Sequence, residues 1–310
     1  MINANSNKNN NLSKNLKKII FFISSCVFVV SASLLVKQLV IDPFVFEKNM
    51  DKIKKVKKES QMCDFKSLLE INPDIRGWIK IDGTPIDYPV LQSGNDEPIY
   101  YLDRDYQKQK DKNGSIFINS YSELLDKDTK NIVMHGHNMG SGKMFASILK
   151  YADVNFFREH SIINFDTIYE PAKWKVFAII KTNSKEEHGP IFDYYSPNFN
   201  SSSEFFNLIY DIKLRSLINV SIDFSKDDKI LSMSTCSPRS ELDGFRTAVF
   251  ARKIRDGEDE YMDPSKISVN NNPLMPEGWY RSKNKKMPTF PSFSESLNNG
   301  SIDWISECVW

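Results

Sequence analysis

Apolar positions along this chain fall mostly into short runs separated by Gly, Pro, Asn and Asp, the spacing of strands rather than of long helices. Eight runs are predicted as strands. They are Trp78–Ile81, Ile86–Leu91, Ser115–Ile118, Ile132–His135, Ile162–Phe165, Trp174–Lys181, a run from Ile230 that ends at Cys236, and Thr247–Ile254. Asp82-Gly83-Thr84-Pro85 is turn chemistry and joins the first two. Eight short strands suit a closed β-barrel, so the expected class is mainly β with added helices (α+β). Helical periodicity appears at Phe46, Met50, Ile53 and Val56, then at Phe65, Leu68 and Leu69, until Asn72-Pro73 stops it. Met144, Phe145, Ile148 and Leu149 predict a further helical face. Ser201-x-x-Glu204 reads as a capping box opening a helix with Phe205, Leu208, Ile209 and Ile212 inward. That helix lies in the long insertion between Lys181 and Lys229.

The amino terminus has a different pattern. Residues 1–18 carry Lys8, Lys14, Lys17 and Lys18 and no acid, and Ile19–Val36 then runs eighteen residues without a charge. This is close to the minimum for a membrane span, and Leu39–Ile41 extends it. A cleaved signal peptide is the rival, with Ser31 and Ser33 at cleavage-like spacing. The long basic lead and the helix-like continuation favour an uncleaved anchor over residues 19–41, with a stalk and helices over 42–71. Lys48, Lys52, Lys54, Lys55, Lys57 and Lys58 make the far flank basic too, so charge does not set the orientation. A net charge of +1 gives no global basic field, and no nucleic-acid partner is expected. Of four cysteines, Cys26 lies in the apolar span, and Cys63 and Cys308 are free to pair though nothing requires it. Cys236 reads as a free thiol. Residues 256–310 abandon the strand pattern, pass from an acidic patch to a basic one, and end in the apolar SIDWISECVW.

The candidate chemistry lies in KILSMSTCSPRSELDGFRTAVFARKIR, where Cys236 ends one strand and Arg246 opens the next. Adjacent antiparallel strands bring such a pair together, and a fixed cation favours the thiolate, which is the nucleophile. A second strand ends in NIVMHGHNMGSGKMF, with His135 and His137. His137 is the candidate proton-transfer group. Arg246 stays protonated and suits an oxyanion; Arg239 is its rival, and backbone N–H groups after Cys236 are candidates to share the task. Two histidines two apart on a strand share a face as metal ligands would, but no third ligand lies near in sequence. Neither a metal nor a cofactor is expected. His160 and His188 carry no motif and read as packing or surface residues.

These stretches resemble a known family. SMSTC with the downstream Arg246 resembles the Thr-Leu-x-Thr-Cys strand and arginine of the sortases, with Ser232 and Met233 replacing the usual Thr and Leu. HGHNM followed by Gly142, Met144 and Phe145 resembles the histidine loop of class B sortases, and NPDIRGWIKIDGTPIDYPVLQ (72–92) is similar to their opening strands. The resemblance spans Asn72 to Arg255, and the tail 256–310 departs from it. It implies a sortase-type barrel over 72–255, with His137, Cys236 and Arg246 catalytic. Ser234, Thr235 and Asn138 would shape the substrate groove, His135 would be a wall residue where sortases often carry an aromatic, and the inserted helix would wall the groove or merely cover the barrel. The reaction implied is transpeptidation of surface proteins bearing a C-terminal signal of Asn-Pro-x-Thr type, through a thioacyl enzyme, onto a peptidoglycan-precursor or pilin amine. The setting implied is the cell membrane of a Gram-positive-type envelope, single-pass, with the catalytic domain outside. A thiol protease and a non-catalytic membrane-anchored binding module are the alternatives. In the tail, Asn272-Pro273-Leu274-Met275-Pro276 begins like such a signal and lacks its threonine. It is either a dead substrate for the groove or a chance match.

Overall fold

A computed structural model describes residues 3–59, 65–122, 124 and 129–306. The chain divides into two compact units, residues 1–59 and 60–310. In the first, α1 (Asn3–Val36) passes through one wide turn at Lys37–Ile41 into α2 (Asp42–Glu59). Apolar side chains such as Phe21, Phe22 and Phe28 are exposed along α1. Among the described residues this is the one helix long and apolar enough to cross a membrane. Cys63 and Cys308, whose pairing the sequence leaves open, lie outside the described residues.

The second unit opens with α3 (Lys66–Ile71) and is built on strands β1 (Ile75–Lys80), β2 (Asp87–Leu91), β3 (Ile116–Ile118), β4 (Asn131–His135), β5 (Ile162–Thr167) and β6 (Lys173–Asn183). It continues with β7 (Ile218–Val220), β8 (Ile230–Cys236), β9 (Phe245–Lys253) and β10 (Ile267–Val269). Eight of them close a barrel in the order β1-β2-β3-β4-β8-β9-β6-β5, and these are the eight predicted. The junctions β2–β3 and β4–β8 are parallel. β8 is buried from Ile230 to Thr235 and exposed only at Cys236, because both of its faces are covered until the barrel rim.

Helices supply the cover. The segment after the histidine loop forms a tight three-residue-per-turn helix over Phe145–Ala152 rather than an α-helix, entered through Met144 at φ 53°. A short α4 (Val154–Glu159) follows, capped by Asp153. The inserted helix is α5 (Ser202–Arg215), whose Phe205, Phe206, Ile209 and Ile212 pack with Phe177, Phe224 and Phe250 of the barrel side. Its predicted capping box is only half formed. Ser201 Oγ accepts the Glu204 N–H at 3.2 Å, but the Glu204 carboxylate takes the N–H of Asn200 at 2.7 Å in place of that of Ser201.

The tail is folded onto the barrel. Glu258 accepts hydrogen bonds from the fully buried Arg252 at 2.6 and 2.8 Å and from Lys175 at 2.7 Å. Burial alone would raise the Glu258 carboxyl, yet these cations hold it down to about 2. β10 then pairs with β7, and α6 (Glu277–Ser282) and α7 (Phe293–Asn298) follow. The apolar end, as far as Ser306, pairs with the barrel side: Phe224 N–H donates to Trp304 C=O at 2.7 Å, and Ser306 N–H returns to Phe224 C=O at 3.0 Å. The signal-like segment Asn272–Pro276 makes its backbone bonds elsewhere than at the thiol. Leu274 N–H donates to Leu214 C=O at 2.8 Å, and the Tyr280 hydroxyl bridges Pro273 C=O and Met275 N–H.

Candidate active site

Cys236 is the last residue of β8 and is paired in register with Arg246 on β9. Cross-strand partners point to the same face, so the guanidinium and the thiol meet at the rim. Arg246 Nη1 donates to Cys236 Sγ at 3.0 Å. A permanently charged donor therefore stands directly on the sulfur. Cys236 is exposed and carries no disulfide. Arg239 stands exposed in the loop between the strands, so the two arginines are separated as the strand argument required. The backbone N–H of Ser237, the residue after the cysteine, is committed within the hairpin, bonding Phe245 C=O at 3.0 Å. Below the rim, Ser237 and Thr247 hydroxyls meet at 2.9 Å, and Lys181 Nζ donates to Thr247 Oγ1 at 2.9 Å and Glu241 at 2.6 Å.

His137 follows the end of β4, which runs parallel to β8 with His135 opposite Ser234. Two further bonds carry that register past the strand ends. Gly136 N–H donates to Ser234 C=O at 3.3 Å, and Thr235 Oγ1 to Gly136 C=O at 2.7 Å. His137 and Cys236 each stand two residues beyond the His135–Ser234 pair, on adjacent segments. The His137 Nε2 lies 2.7 Å from the Leu102 carbonyl. A carbonyl only accepts, so Nε2 carries hydrogen, and Nδ1 is the nitrogen left to exchange a proton in the neutral ring. Phe145 N–H donates to His137 C=O at 3.0 Å, and Asn138 pairs with Met144, closing the loop on itself. The Leu102 carbonyl is itself braced: Ser115 N–H bonds Tyr101 C=O at 2.9 Å, and Gly114, at φ 58°, packs against Leu102 where a Cβ would come within 2.2 Å of the oxygen.

His135 sits one step inside. Its ring stacks on Tyr195 at 5.9 Å, lies 5.5 Å from Phe117, and approaches Asn119 Nδ2 at 3.5 Å. Burial, and then the charge of Arg246, push its imidazole down to about 4, so it is neutral at pH 7. Ser234 and Thr235 are buried beneath this surface. The Tyr194 hydroxyl donates to Ser234 Oγ at 2.8 Å, and Thr235 holds Gly136. The loop that carries Tyr194 and Tyr195 is pinned to β4 by Asn131, which donates to the carbonyls of Tyr194 and Ser196. An open cleft of about 810 Å³ borders His135, lined by Asn119, Tyr121, Ile191, Asp193 and Tyr195. None of these was singled out from sequence, because their common surface exists only after two segments about seventy residues apart meet. Ser234 and Thr235 lie buried under Tyr194 and Gly136, Asn138 belongs to the histidine loop, and none of the three lines this cleft.

A family model described as the sortase domain matches residues 79–254. Sortase B of Staphylococcus aureus is 32% identical over 191 residues, covering 62% of this chain and 75% of that protein. Sortase B of Listeria monocytogenes is 30% identical over 193 residues, covering 62% and 74%. A Staphylococcus aureus sortase B–substrate complex superposes with a TM-score of 0.57 at 30% identity, over 67% of this chain and 94% of that one. Clostridium perfringens sortase B does so at 0.54 and 32% identity, over 61% and 99%.

Proposed function

The chain belongs to the sortase family, as a class B member among cysteine transpeptidases, and from that premise we propose that Cys236, His137 and Arg246 are its catalytic residues and that it acts on a sorting signal of Asn-Pro-x-Thr type. The observation that carries the residue assignment is the 3.0 Å bond from Arg246 to the Cys236 sulfur. The thiolate attacks the carbonyl carbon that follows the signal's threonine. The negative oxygen that forms is stabilised by the Arg246 guanidinium. As the tetrahedral adduct collapses, the C–N bond breaks and His137 gives a proton to the leaving amine. A thioester on Cys236 remains. An incoming primary amine then attacks that thioester, His137 takes the proton back, and Cys236 departs as thiolate. The acceptor is an amine of the cell wall or of another surface protein. Residues 19–41 anchor the enzyme in the cell membrane, with the barrel on the outer face.

The cleft beside His135 holds the signal, with Asn119, Tyr121 and Tyr195 against it. Its aromatic and amide groups, with the Asp193 carboxylate among them, offer stacking and hydrogen bonds to a short peptide. A quenched Asn-Pro-x-Thr peptide, incubated with and without a glycine-peptide amine, tests the whole reading. Transfer to the amine identifies the transpeptidase, and release of acid alone identifies a thiol protease. Cys236→Ala should abolish turnover, and Arg246→Ala should lower it about 10²–10³-fold. Cleavage retained by Cys236→Ala, or an Arg239→Ala defect deeper than that of Arg246→Ala, overturns the assignment.

A further inference from the structure

The loop between Cys236 and Arg246 is gripped from behind by a turn that the tail in turn covers. Ser184 donates to Gly244 C=O through both N–H and Oγ, at 2.8 and 2.9 Å, and Lys185 Nζ reaches the Asp243 carboxylate at 2.5 Å. His188, at the end of the same turn, has its Nε2 at 2.8 Å from Asp243 C=O, so Nε2–H donates. Its ring stands edge-on to Phe245 at 5.2 Å, and Phe245 immediately precedes Arg246. The charged groups around this ring are Glu187, with Oε1 at 3.5 Å, Lys185 and Asp243.

The opposite side of this turn is closed by α6 of the tail. Gly278 lies so close to His188 that a Cβ there would meet Nδ1 at 2.6 Å. The Glu277 side chain packs on Gly189, where a Cβ would meet it at 2.8 Å, and Arg281 donates to Glu187 C=O. The contacts therefore run in one direction from the tail: α6, His188, the Asp243–Phe245 turn, Arg246, and the sulfur.

We propose that His188, clamped by α6, is a positioning residue for Arg246, and that the tail serves the reaction as a brace behind the arginine instead of as a lid over the groove. The proposal rests on the roles proposed above for Cys236 and Arg246. A guanidinium must be fixed before the oxyanion forms if it is to stabilise it without reorganising. Arg246 enters β9 from an exposed loop, and its strand register alone does not fix the turn before it.

The test uses the full-length protein in detergent with four variants, His188→Ala, His188→Gln, Gly278→Leu and Arg246→Ala. Three quantities are read: kcat and KM for the signal peptide, the pH profile of Cys236 alkylation by iodoacetamide, and the melting temperature. The charged group that touches the sulfur is Arg246 from β9; the titratable group on the neighbouring parallel strand's loop is His137. His188→Ala and Gly278→Leu should each lower kcat about tenfold with KM little changed, as expected for a misplaced catalytic group. Both should change the alkylation profile toward that of Arg246→Ala, because the cation drifts from the sulfur it now contacts at 3.0 Å. His188→Gln, whose Nε2–H can reach the same carbonyl, should restore rate and profile. A fall in melting temperature with rate and profile unchanged overturns the brace, as does a rise in kcat/KM when α6 is displaced, which is the result a lid would give. If Arg246→Ala moves the profile and His188→Ala does not, the brace alone fails. If Arg246→Ala leaves it in place, the thiol–guanidinium reading fails instead.

Discussion

Gly114→Ala, twenty-three residues before His137, should impair the proton-transfer step without touching a catalytic side chain. The alanine methyl would lie 2.2 Å from the Leu102 oxygen and 2.9 Å from that of Tyr101. Ordinary contact requires the Leu102 carbonyl to retreat by about 1 Å, and misplacement on that scale costs about 10²-fold in rate. His137 loses the acceptor now 2.7 Å from Nε2, and with it the fixed tautomer. The barrier should rise by about 2.7 kcal/mol at unchanged peptide affinity. Backbone strain adds a separate effect, about 1–2 kcal/mol of stability for alanine at φ 58°. Gly257→Ala isolates it, since Gly257 has φ 76° and nothing within 4 Å of its Cβ position. Single-turnover acylation measures the rate, and ¹⁵N-histidine NMR of the Cys236→Ala background reports the tautomer. If Gly114→Ala and Gly257→Ala lose equal stability and acylate equally fast, the Leu102 carbonyl has no part in orienting His137.

Two further outcomes follow from buried charge. Glu258→Gln should cost about 3 kcal/mol in chemical denaturation, because it strips the fully buried Arg252 of its bonded carboxylate while Asp223 and Asp228 remain 3.9 Å away; a loss below about 1 kcal/mol would show those aspartates sufficient. His135, held neutral to about 4, binds fewer protons when folded than when unfolded between its ordinary value of 6.5 and 4. Its contribution is therefore complete above pH 6.5 and is lost as pH falls toward 4, amounting to about 1 kcal/mol at pH 5 after allowance for its part-exposure. His135→Phe should flatten that acid loss in denaturation midpoints compared at pH 7 and 5, and an unchanged slope would place the sensitivity elsewhere.

Residue type and periodicity revealed those parts of the site that are side chains at strand ends. Cys236, Arg246 and His137 each terminate or adjoin an apolar run, so pattern located the runs, and the resemblance of the flanking motifs singled out the three side chains. Arg246 was preferred to Arg239 because it opens a strand. The Leu102 carbonyl left no such trace, since a backbone oxygen is the same on every residue. Its only mark was Gly114, an unremarked glycine in a polar loop. His188 was read as an ordinary packing histidine, and packing is what it does; only its neighbours Asp243, Phe245 and Gly278 tie it to the site. β7 and β10 escaped because each is three residues long and their partners lie far apart in sequence. The Met144–Leu149 pattern was helical but could not tell a three-residue turn from a 3.6-residue one, since positions 145 and 148 coincide in both.

The parallel contact between β4 and β8 sets when this site comes into being. Thr235 and Gly136, whose bond joins the two strands at the rim, are 99 residues apart in sequence. Closing a loop of that length is entropically costly, and pairings of this kind form late and slowly. A chain that has folded only its first four strands holds His137 without a nucleophile, and the β8–β9 hairpin by itself holds an arginine-paired thiol without its histidine. The two halves meet only when the barrel closes, so a half-folded molecule does not yet bring the thiol, the arginine and the histidine together. The appearance of activity during refolding would thus time barrel closure, and the hairpin's thiol, alkylated in short pulses, would time the step before it.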